Sequence, residues 1–382
     1  RRLDGGDVDR EVARLMQAAQ VPGLALAVVV DGRVAYVKAY GYADVEAKRP
    51  LTTDTIMYGA SLTKAEFAYM VMQLVDDGVV DLDRSIAADL PKPLPAYAKY
   101  ADLADDARWR RLTPRLLLSH RSGFPNFRYY TEHGYDADAK LYFAFDPGSR
   151  YAYSGEGINL LQFVLESGRG LDVGAEMQKR VFDRFGMTRT SMTWRDDFAG
   201  DFAVGYDEHG KPLDHKHRSG VRAAGSMDTT IADQARAVAG MLAGDGLGAN
   251  SRAERLRAQA PIRSAQQFPT LSTRTSTDDD GIALAAGLGV VVYDSPYGRA
   301  WFKSGHDDGT NNLMLAFPER RSAIVILSNS SNGESVFKYL IDALLGETCM
   351  PWFWENYIPY DHPELRTADA LDHPHPPCGP VR

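Results

Sequence analysis

The apolar positions at the start of the chain change period from helical to extended. An amphipathic helix is predicted over residues 7–20, where the apolar side chains recur at helical spacing: Val8, Val12, Leu15 and Met16. Residues 24–30 then form a run rich in Val and Leu, and residues 33–40 follow after an Asp31-Gly32 turn. This order predicts a helix followed by an antiparallel hairpin.

The middle of the chain is dominated by helical patterns. One apolar helix face follows Ser61 and ends at Gly78; its members are Phe67, Met70, Val71, Leu74 and Val75. Helical signals, broken by Pro and Gly loops, continue from residue 81 to about residue 200. Thr230 and Asp233 form a capping box that opens a helix reaching about residue 242.

Strand patterns return in the last third of the chain. They cover residues 288–293, 299–303, 313–317 and 323–328, and a helix is predicted at 335–345. The polar stretch 264–281 is predicted to be a surface loop. Because the sheet-forming stretches lie at both ends with helices between them, the fold class is α/β, with one antiparallel sheet flanked by helices plus a helical domain. The predicted units are an α/β sandwich from 1–62 and 200–347, a helical domain at 63–199, and a tail at 348–382.

Composition excludes several classes of partner. The 382 residues carry a net charge of −8, and the basic residues are scattered, which argues against nucleic-acid binding. No apolar run approaches the length of about 18 residues that a membrane span needs. The oligomeric state is left open.

The two cysteines lie in the tail. Cys349 and Cys378 could form a disulfide in an oxidising compartment or remain two unpaired thiols, and we favour the disulfide. A periplasmic or secreted location is accordingly favoured, with the cytoplasm as the alternative. The chain begins at Arg1 without a methionine, which leaves open whether a leader was removed or the sequence was trimmed.

A serine and a lysine three residues apart carry the first candidate chemistry. Ser61 and Lys64 form an S-x-x-K tetrad at a loop-to-helix junction. Residues three apart share a helix face, so the amine lies beside the hydroxyl, and the helix N-terminus favours a developing alkoxide. The tetrad alone is weak evidence for an active site, because Ser335 and Lys338 form a second copy of it. We interpret that copy as a chance match.

Two further motifs lie between the tetrads. Tyr153-Ser154-Gly155 precedes an apolar helical pattern, and Lys303-Ser304-Gly305 ends a predicted strand. With Ser61 to Lys64 they resemble, in order, the three motifs of the serine β-lactamase and penicillin-binding-protein superfamily. The resemblance covers roughly residues 21–346 and includes the segment 116–123, Leu-Leu-Leu-Ser-His-Arg-Ser-Gly. Class C β-lactamases, D-alanyl-D-alanine carboxypeptidases and related esterases are the most similar members.

The resemblance implies a role for each motif residue. Ser61 would be the nucleophile, Lys64 with Tyr153 the base system, and Lys303 the electrostatic partner. Ser304, Gly305 and His306 would border the substrate, with the Ser61 amide and an amide near His306 forming the oxyanion hole. The resemblance also implies a small-molecule ester, amide or peptide as the substrate, and no metal or organic cofactor is expected.

The second motif departs from the family pattern. Its last residue is usually Asn, which hydrogen-bonds a substrate amide, and here it is Gly155. Glu156 could take over part of that polar role, and the aromatic stretch 124–145 could form an apolar pocket. We therefore expect an esterase rather than a β-lactamase or carboxypeptidase, and we expect Gly155→Asn to raise the amide-to-ester activity ratio.

The proposed base needs a lowered pKa. Lysine titrates near about 10.4, and a base at neutral pH needs a pKa of about 7–8. Burial and the second cation Lys303 can supply that change. The same charges are expected to ease proton loss from Tyr153 in a coupled Lys64–Tyr153 unit.

Three further functions are compatible with some of these residues. His120 and His306 invite a Ser-His-Asp interpretation, but the G-x-S-x-G elbow of α/β-hydrolases is missing around Ser61. We expect His120 to be structural and His306 to line the site. An acyltransferase would use the same acyl-enzyme and pass it to an amine or alcohol. An inactive relative would keep the fold and only bind ligands.

Overall fold

A computed structural model describes residues 4–378 of the chain. Its main feature is a nine-stranded antiparallel sheet with the order β10-β11-β12-β13-β14-β15-β1-β2-β3. These strands are β1 (Gly23–Val30), β2 (Arg33–Asp44), β3 (Arg49–Pro50), β10 (Ala260–Pro261), β11 (Ala285–Ala286), β12 (Val291–Ser295), β13 (Gly298–Asp307), β14 (Thr310–Phe317) and β15 (Ser322–Ser328). The first strand of the chain pairs with the last, so both ends build one sheet, as the sequence predicts.

Helices cover both faces of this sheet. They are α1 (Gly5–Ala19), α2 (Leu62–Asp76), α3 (Ile86–Asp89), α4 (Pro114–Leu118), α5 (Gly155–Arg169), α6 (Val173–Met177), α7 (Ile231–Ala243), α8 (Ala249–Leu256) and α9 (Phe337–Leu345). At the start of α7 the Thr230 side chain accepts the Asp233 N–H, which confirms the predicted cap. No helix of the described residues has the length and apolar character needed to cross a membrane.

The alternation of side chains along β1 assigns each face its own core. Leu24 and Leu26 pack with α1 and α9 in one buried cluster. Ala25 and Ala27 belong to the other cluster, which also contains the buried faces of α2, α5 and α7. Successive strand residues point to opposite faces, so a single strand serves both cores. The boundary between an α/β unit and a helical unit stays a prediction, because the cluster that contains Ala25 and Ala27 includes residues of both predicted units.

Shorter elements connect these layers. The two-residue strands pair as β4 (Met57–Tyr58) with β9 (Asp228–Thr229), β5 (Tyr130–Thr131) with β6 (Gly134–Tyr135), and β7 (Gly205–Tyr206) with β8 (Pro212–Leu213). The 3-10 helices are Leu94–Ala96, Ala98–Leu103, Ala107–Arg111, Asp196–Phe198, Asp280–Ile282, Pro318–Arg320, Gly333–Val336, Pro363–Arg366 and Ala368–Asp372, and a π-helical turn spans Gln178–Phe182. The β4–β9 pair lies just before α2 and anchors its N-terminus.

The polar stretch 264–281 is not simply a surface loop. Gln267 is buried and accepts a hydrogen bond of 2.9 Å from the Tyr151 hydroxyl. Phe268 packs edge-on against Tyr153, with 5.6 Å between ring centroids. Polarity predicted exposure here, but these particular side chains are satisfied or packed inside the protein.

The C-terminal segment, residues 347–378, folds back onto the sheet. Trp352 and Trp354 are buried in the same cluster as α1 and α9, and the Tyr357 hydroxyl donates to the Asn312 carbonyl at 3.0 Å. Cys349 and Cys378 form a disulfide, which confirms the pairing favoured from the sequence. The predicted tail is therefore an ordered part of the fold.

Removing the disulfide should destabilise the protein without changing its fold. Cys378→Ser opens the loop that Cys349 and Cys378 close, and the extra freedom of the unfolded chain should cost about 2–4 kcal/mol of unfolding free energy. Denaturant unfolding of the variant and the natural chain measures the difference. Two free thiols in the mass of the unreduced natural protein would contradict the pairing.

Candidate active site

Ser61 stands at the N-cap position of α2, where the sequence predicts the loop-to-helix junction. The chain just before it is held in place, because Gly59 N–H donates to the Met227 carbonyl at 2.8 Å and the Asn312 amide donates to the Gly59 carbonyl at 3.1 Å. The Ser61 side chain makes no capping hydrogen bond with the helix. Its hydroxyl is therefore free to bond elsewhere.

The partner of that hydroxyl is Lys64. Its Nζ donates to Ser61 Oγ at 2.9 Å and to the Ala224 carbonyl at 2.7 Å. The side chain is fully buried. Burial, assisted by the positive charge of Lys303, holds the pKa of Lys64 well below its ordinary value. Both predicted causes of a lowered pKa are thus present at the amine that adjoins the serine.

Tyr153 lies between the two lysines. The Nζ atoms of Lys64 and Lys303 are 4.8 Å and 4.9 Å from the centroid of its ring, and Lys303 Nζ donates to its hydroxyl at 3.3 Å. Burial nevertheless raises the pKa of Tyr153 above its ordinary value, and a hydrogen bond with Ser61 offsets only part of that rise. The expectation of easier proton loss is wrong, because desolvation of a phenolate outweighs the favourable contacts.

The third motif runs along β13 past the start of α2. A Cβ atom on Gly305 would stand 3.0 Å from the Ser61 nitrogen and 3.1 Å from the Leu62 nitrogen. A glycine is needed for this close approach. The His306 ring packs edge-on against Phe268 at 5.2 Å. The strand after Lys303 and the Ser61 amide are thereby brought together.

Gly155 is the first residue of α5, and an aromatic ring fills the space beside it. Its N–H donates to Asn126 Oδ1 at 2.9 Å. A Cβ atom on Gly155 would overlap the ring of Phe127, and that ring lies 5.8 Å from Lys64 Nζ. The expectation for Gly155→Asn therefore needs correction, since an Asn side chain cannot enter unless Phe127 moves.

Glu156 does not supply a polar group to the serine. It is buried, and both of its carboxylate oxygens are bound by the Arg128 guanidinium at 3.0 Å and 3.1 Å. The Arg128 N–H donates to the same carboxylate at 2.9 Å. This pair anchors the loop that carries Phe127, which is a structural role rather than the expected one.

His120 has the structural position expected from its loop. Its Nδ1 accepts the Ser154 N–H at 3.1 Å, and its ring lies 4.6 Å from that of Tyr153. Burial first, and then the charges of Lys64 and Lys303, hold the pKa of His120 well below its ordinary value. Burial also lowers the pKa of His306. A neutral His120 bonded to the second motif gives no support to a Ser-His-Asp triad.

The second S-x-x-K copy has a different environment. Ser335 is buried and donates to the Asn332 carbonyl at 2.7 Å, whereas Lys338 pairs with Asp342 at 2.7 Å. The hydrogen bonds described for these two residues do not join them to each other. Neither copy has a nearby cluster of three or more His, Cys, Asp or Glu side chains able to hold a metal within residues 4–378.

Three contributors to the site have no signal in the sequence. They are the Ala224 carbonyl that receives Lys64, the ring of Phe127, and the carboxylate of Glu355. Glu355 is buried, and its Oε1 accepts the Ser304 hydroxyl. Phe127 could have been suspected only as a member of the aromatic stretch 124–145, and Glu355 only because it follows the aromatic residues 352–354.

This fold and this arrangement of serine, lysines and tyrosine are those of the active-site-serine hydrolases. The Beta-lactamase family model matches residues 8–346. The chain therefore belongs to the Beta-lactamase family and is a serine hydrolase of the β-lactamase and penicillin-binding-protein superfamily.

Individual relatives are distant. Penicillin-binding protein 4 of Amycolatopsis lactamdurans is 27% identical over 341 residues, covering 86% of each chain. The unguisins hydrolase of Aspergillus violaceofuscus is 26% identical, over 60% of this chain and 44% of its own length, so the chain spans less than half of that relative. The octameric penicillin-binding protein homologue of Pyrococcus abyssi superposes with a TM-score of 0.72 at 22% identity, covering 91% of this chain and 78% of that one. That likeness concerns the fold.

Proposed function

We propose that this chain hydrolyses small esters through an acyl-enzyme on Ser61. The observation that carries the proposal is the buried Lys64 amine, 2.9 Å from Ser61 Oγ and next to a second cation. A lysine with a lowered pKa can accept the serine proton near neutral pH, which is the task of a general base.

The reaction runs in two halves. Lys64 takes the hydroxyl proton as Ser61 Oγ attacks the carbonyl carbon, and the Ser61 amide with an amide of β13 near His306 binds the oxyanion. Collapse of the intermediate expels the alcohol, which receives a proton from Lys64 through the protonated Tyr153 hydroxyl. Water then attacks the acyl carbon and gives one proton to Lys64. The bond from the acyl carbon to Ser61 Oγ breaks, Lys64 returns the proton to Oγ, and the acid leaves.

The ester preference rests on Phe127. An amide substrate depends on a polar group at the position of Gly155, and the Phe127 ring fills that space instead. Two exposed tyrosines extend this aromatic surface outward. The centroid of the Phe127 ring is 6.5 Å from that of Tyr130, and the Tyr130 centroid is 5.6 Å from that of Tyr135. Tyr130 and Tyr135 are each 68% exposed and offer an apolar rim for an acyl or aryl group.

A second candidate function is supported by the relatives, two of which are named as penicillin-binding proteins. Acylation by a β-lactam or cleavage of a D-Ala-D-Ala peptide would use the same nucleophile. A panel of short aryl esters, a cephalosporin and a D-Ala-D-Ala peptide separates the two. Turnover of the ester with weak or no cephalosporin hydrolysis supports the esterase, and efficient cleavage of either amide substrate overturns it.

We also propose a periplasmic or secreted location. The Cys349–Cys378 disulfide supports it, because such bonds persist in oxidising compartments.

A test of the ester preference is a pair of substitutions at the second motif. Gly155→Asn alone should lower activity on every substrate, because the new side chain overlaps Phe127. The double variant Phe127→Ala with Gly155→Asn has room for the side-chain amide of the new Asn. Its anilide-to-ester ratio of kcat/KM should rise by roughly 5- to 150-fold, which is the value of one hydrogen bond in a desolvated site. A p-nitroanilide and a p-nitrophenyl ester of the same acid give the ratio.

The control is Phe127→Ala alone. It opens the same space without supplying an amide, so it should leave the ratio near that of the natural chain. A double variant with an unchanged ratio would show that Phe127 and Gly155 do not set the preference.

A further inference from the structure

Glu355 is a buried carboxylate at the third motif that the proposed catalytic cycle does not use. It comes from the C-terminal segment, residues 347–378, which lies beyond the part of the chain matched by the family model. Its Oε1 accepts the Ser304 hydroxyl. Its Oε2 is buried and has no hydrogen-bond partner among the described residues. A buried charge without full hydrogen bonding persists when a nearby opposite charge stabilises it.

That opposite charge is Lys303. Ser304 links the two groups, because Lys303 Nζ donates to its carbonyl at 2.6 Å while its hydroxyl donates to Glu355. Tyr153, Lys303, Ser304 and Glu355 also line one small cavity of about 10 Å³. Burial lowers the pKa of Lys303 and raises that of Glu355, and the attraction between them opposes both changes.

The segment holds Glu355 firmly in this place. Gln267 N–H donates to the Trp354 carbonyl at 2.7 Å, and the Tyr357 hydroxyl donates to the Asn312 carbonyl at 3.0 Å. The disulfide closes the segment onto itself. Other titratable groups that face Glu355 are Tyr151 and Tyr153 before α5, Glu334 before α9, and Tyr357 on its own segment.

We propose that Glu355 is a built-in counter-ion of the third motif, which keeps Lys303 charged, engages the Ser304 hydroxyl, and thereby selects substrates whose leaving group carries no carboxylate. An internal carboxylate already satisfies the cation and the hydroxyl that an anionic substrate would need. A second carboxylate there would meet repulsion in a site of low dielectric. The substrate preference rests on the proposed hydrolase function, and the charge of Lys303 does not depend on which substrate is natural.

The first experiment follows the rate of fluorophosphonate labelling of Ser61 against pH. As the electrostatic partner, the Lys303 cation stabilises the negative charge that develops during attack by Ser61, so the labelling rate should fall at alkaline pH where this cation is lost. Glu355→Gln keeps the size of the side chain and removes its charge, so the pKa of Lys303 should fall and this alkaline limb should move to lower pH by roughly one unit or more. Glu355→Asp, which keeps the charge, should leave most of the limb in place.

The matched control is Glu364→Gln, which neutralises an exposed carboxylate of the same segment. It should leave the profile unchanged. Glu334→Gln separates any contribution of the other carboxylate that faces Glu355. An alkaline limb that does not move in Glu355→Gln overturns the counter-ion role, whereas absence of labelling in the natural chain overturns the hydrolase function itself.

The second experiment compares phenyl acetate with 3-carboxyphenyl acetate, which differ by one carboxylate on the leaving group. The natural chain should favour the neutral ester. Glu355→Gln should raise the ratio of kcat/KM for the carboxylated to the neutral ester by about tenfold, and Glu364→Gln should not. An unchanged ratio in Glu355→Gln overturns the substrate preference.

Discussion

Replacing Ser61 by alanine should abolish covalent labelling by a fluorophosphonate and lower ester turnover by at least about 10³-fold. The change removes the one oxygen that Lys64 Nζ contacts at 2.9 Å and leaves the helix otherwise intact. Since the Ser61 side chain makes no capping bond, the stability of α2 should change little. Intact-protein mass after labelling and kcat/KM on a short aryl ester measure the two effects.

The second tetrad supplies the matched control for this prediction. Ser335→Ala removes a buried hydroxyl that donates to the Asn332 carbonyl, so it should lower the stability of the protein. It should leave labelling unchanged. If Ser335→Ala could not be labelled and Ser61→Ala were labelled normally, the nucleophile would be wrongly assigned. Thermal unfolding of both variants separates a loss of fold from a loss of chemistry.

The parts of the fold that could be predicted are those with local causes. The helix at residues 7–20 is observed as α1, and the run at 323–328 lies within β15, because periodicity and β-branching act over a few residues. The capping box at Thr230 opens α7 as expected. The closure of the sheet by β1 and β15 was also predictable, since strand patterns occur at both ends of the chain.

The parts that could not be predicted depend on contacts between distant segments. Phe127 is 28 positions from Gly155, and nothing local shows that its ring fills the space beside that glycine. Glu355 reaches Ser304 from a segment whose composition suggested a tail. The raised pKa of Tyr153 has the same origin, because burial depends on packing that motif spacing does not reveal.

Loss of the Lys303 charge should move the acidic limb of the pH–rate profile upward. The active form needs neutral Lys64, so the rate rises as pH passes through the pKa of that amine. A cation nearby favours the neutral amine and lowers this pKa, and Lys303 acts in this direction. In Lys303→Ala the pKa of Lys64 should rise, so the limb should move to higher pH and the rate at neutral pH should fall about tenfold for each unit.

The position of the limb, rather than the plateau rate, is the decisive quantity, because Lys303 also bonds Tyr153. Lys303→Ala also leaves the buried Glu355 carboxylate without the cation that lowers its pKa. The double variant with Glu355→Gln removes that unpaired group and should keep the upward shift. Lys338→Ala, which removes a lysine paired with Asp342, should leave the limb in place. A limb that stays fixed in the double variant would show that Lys303 does not set the basicity of Lys64.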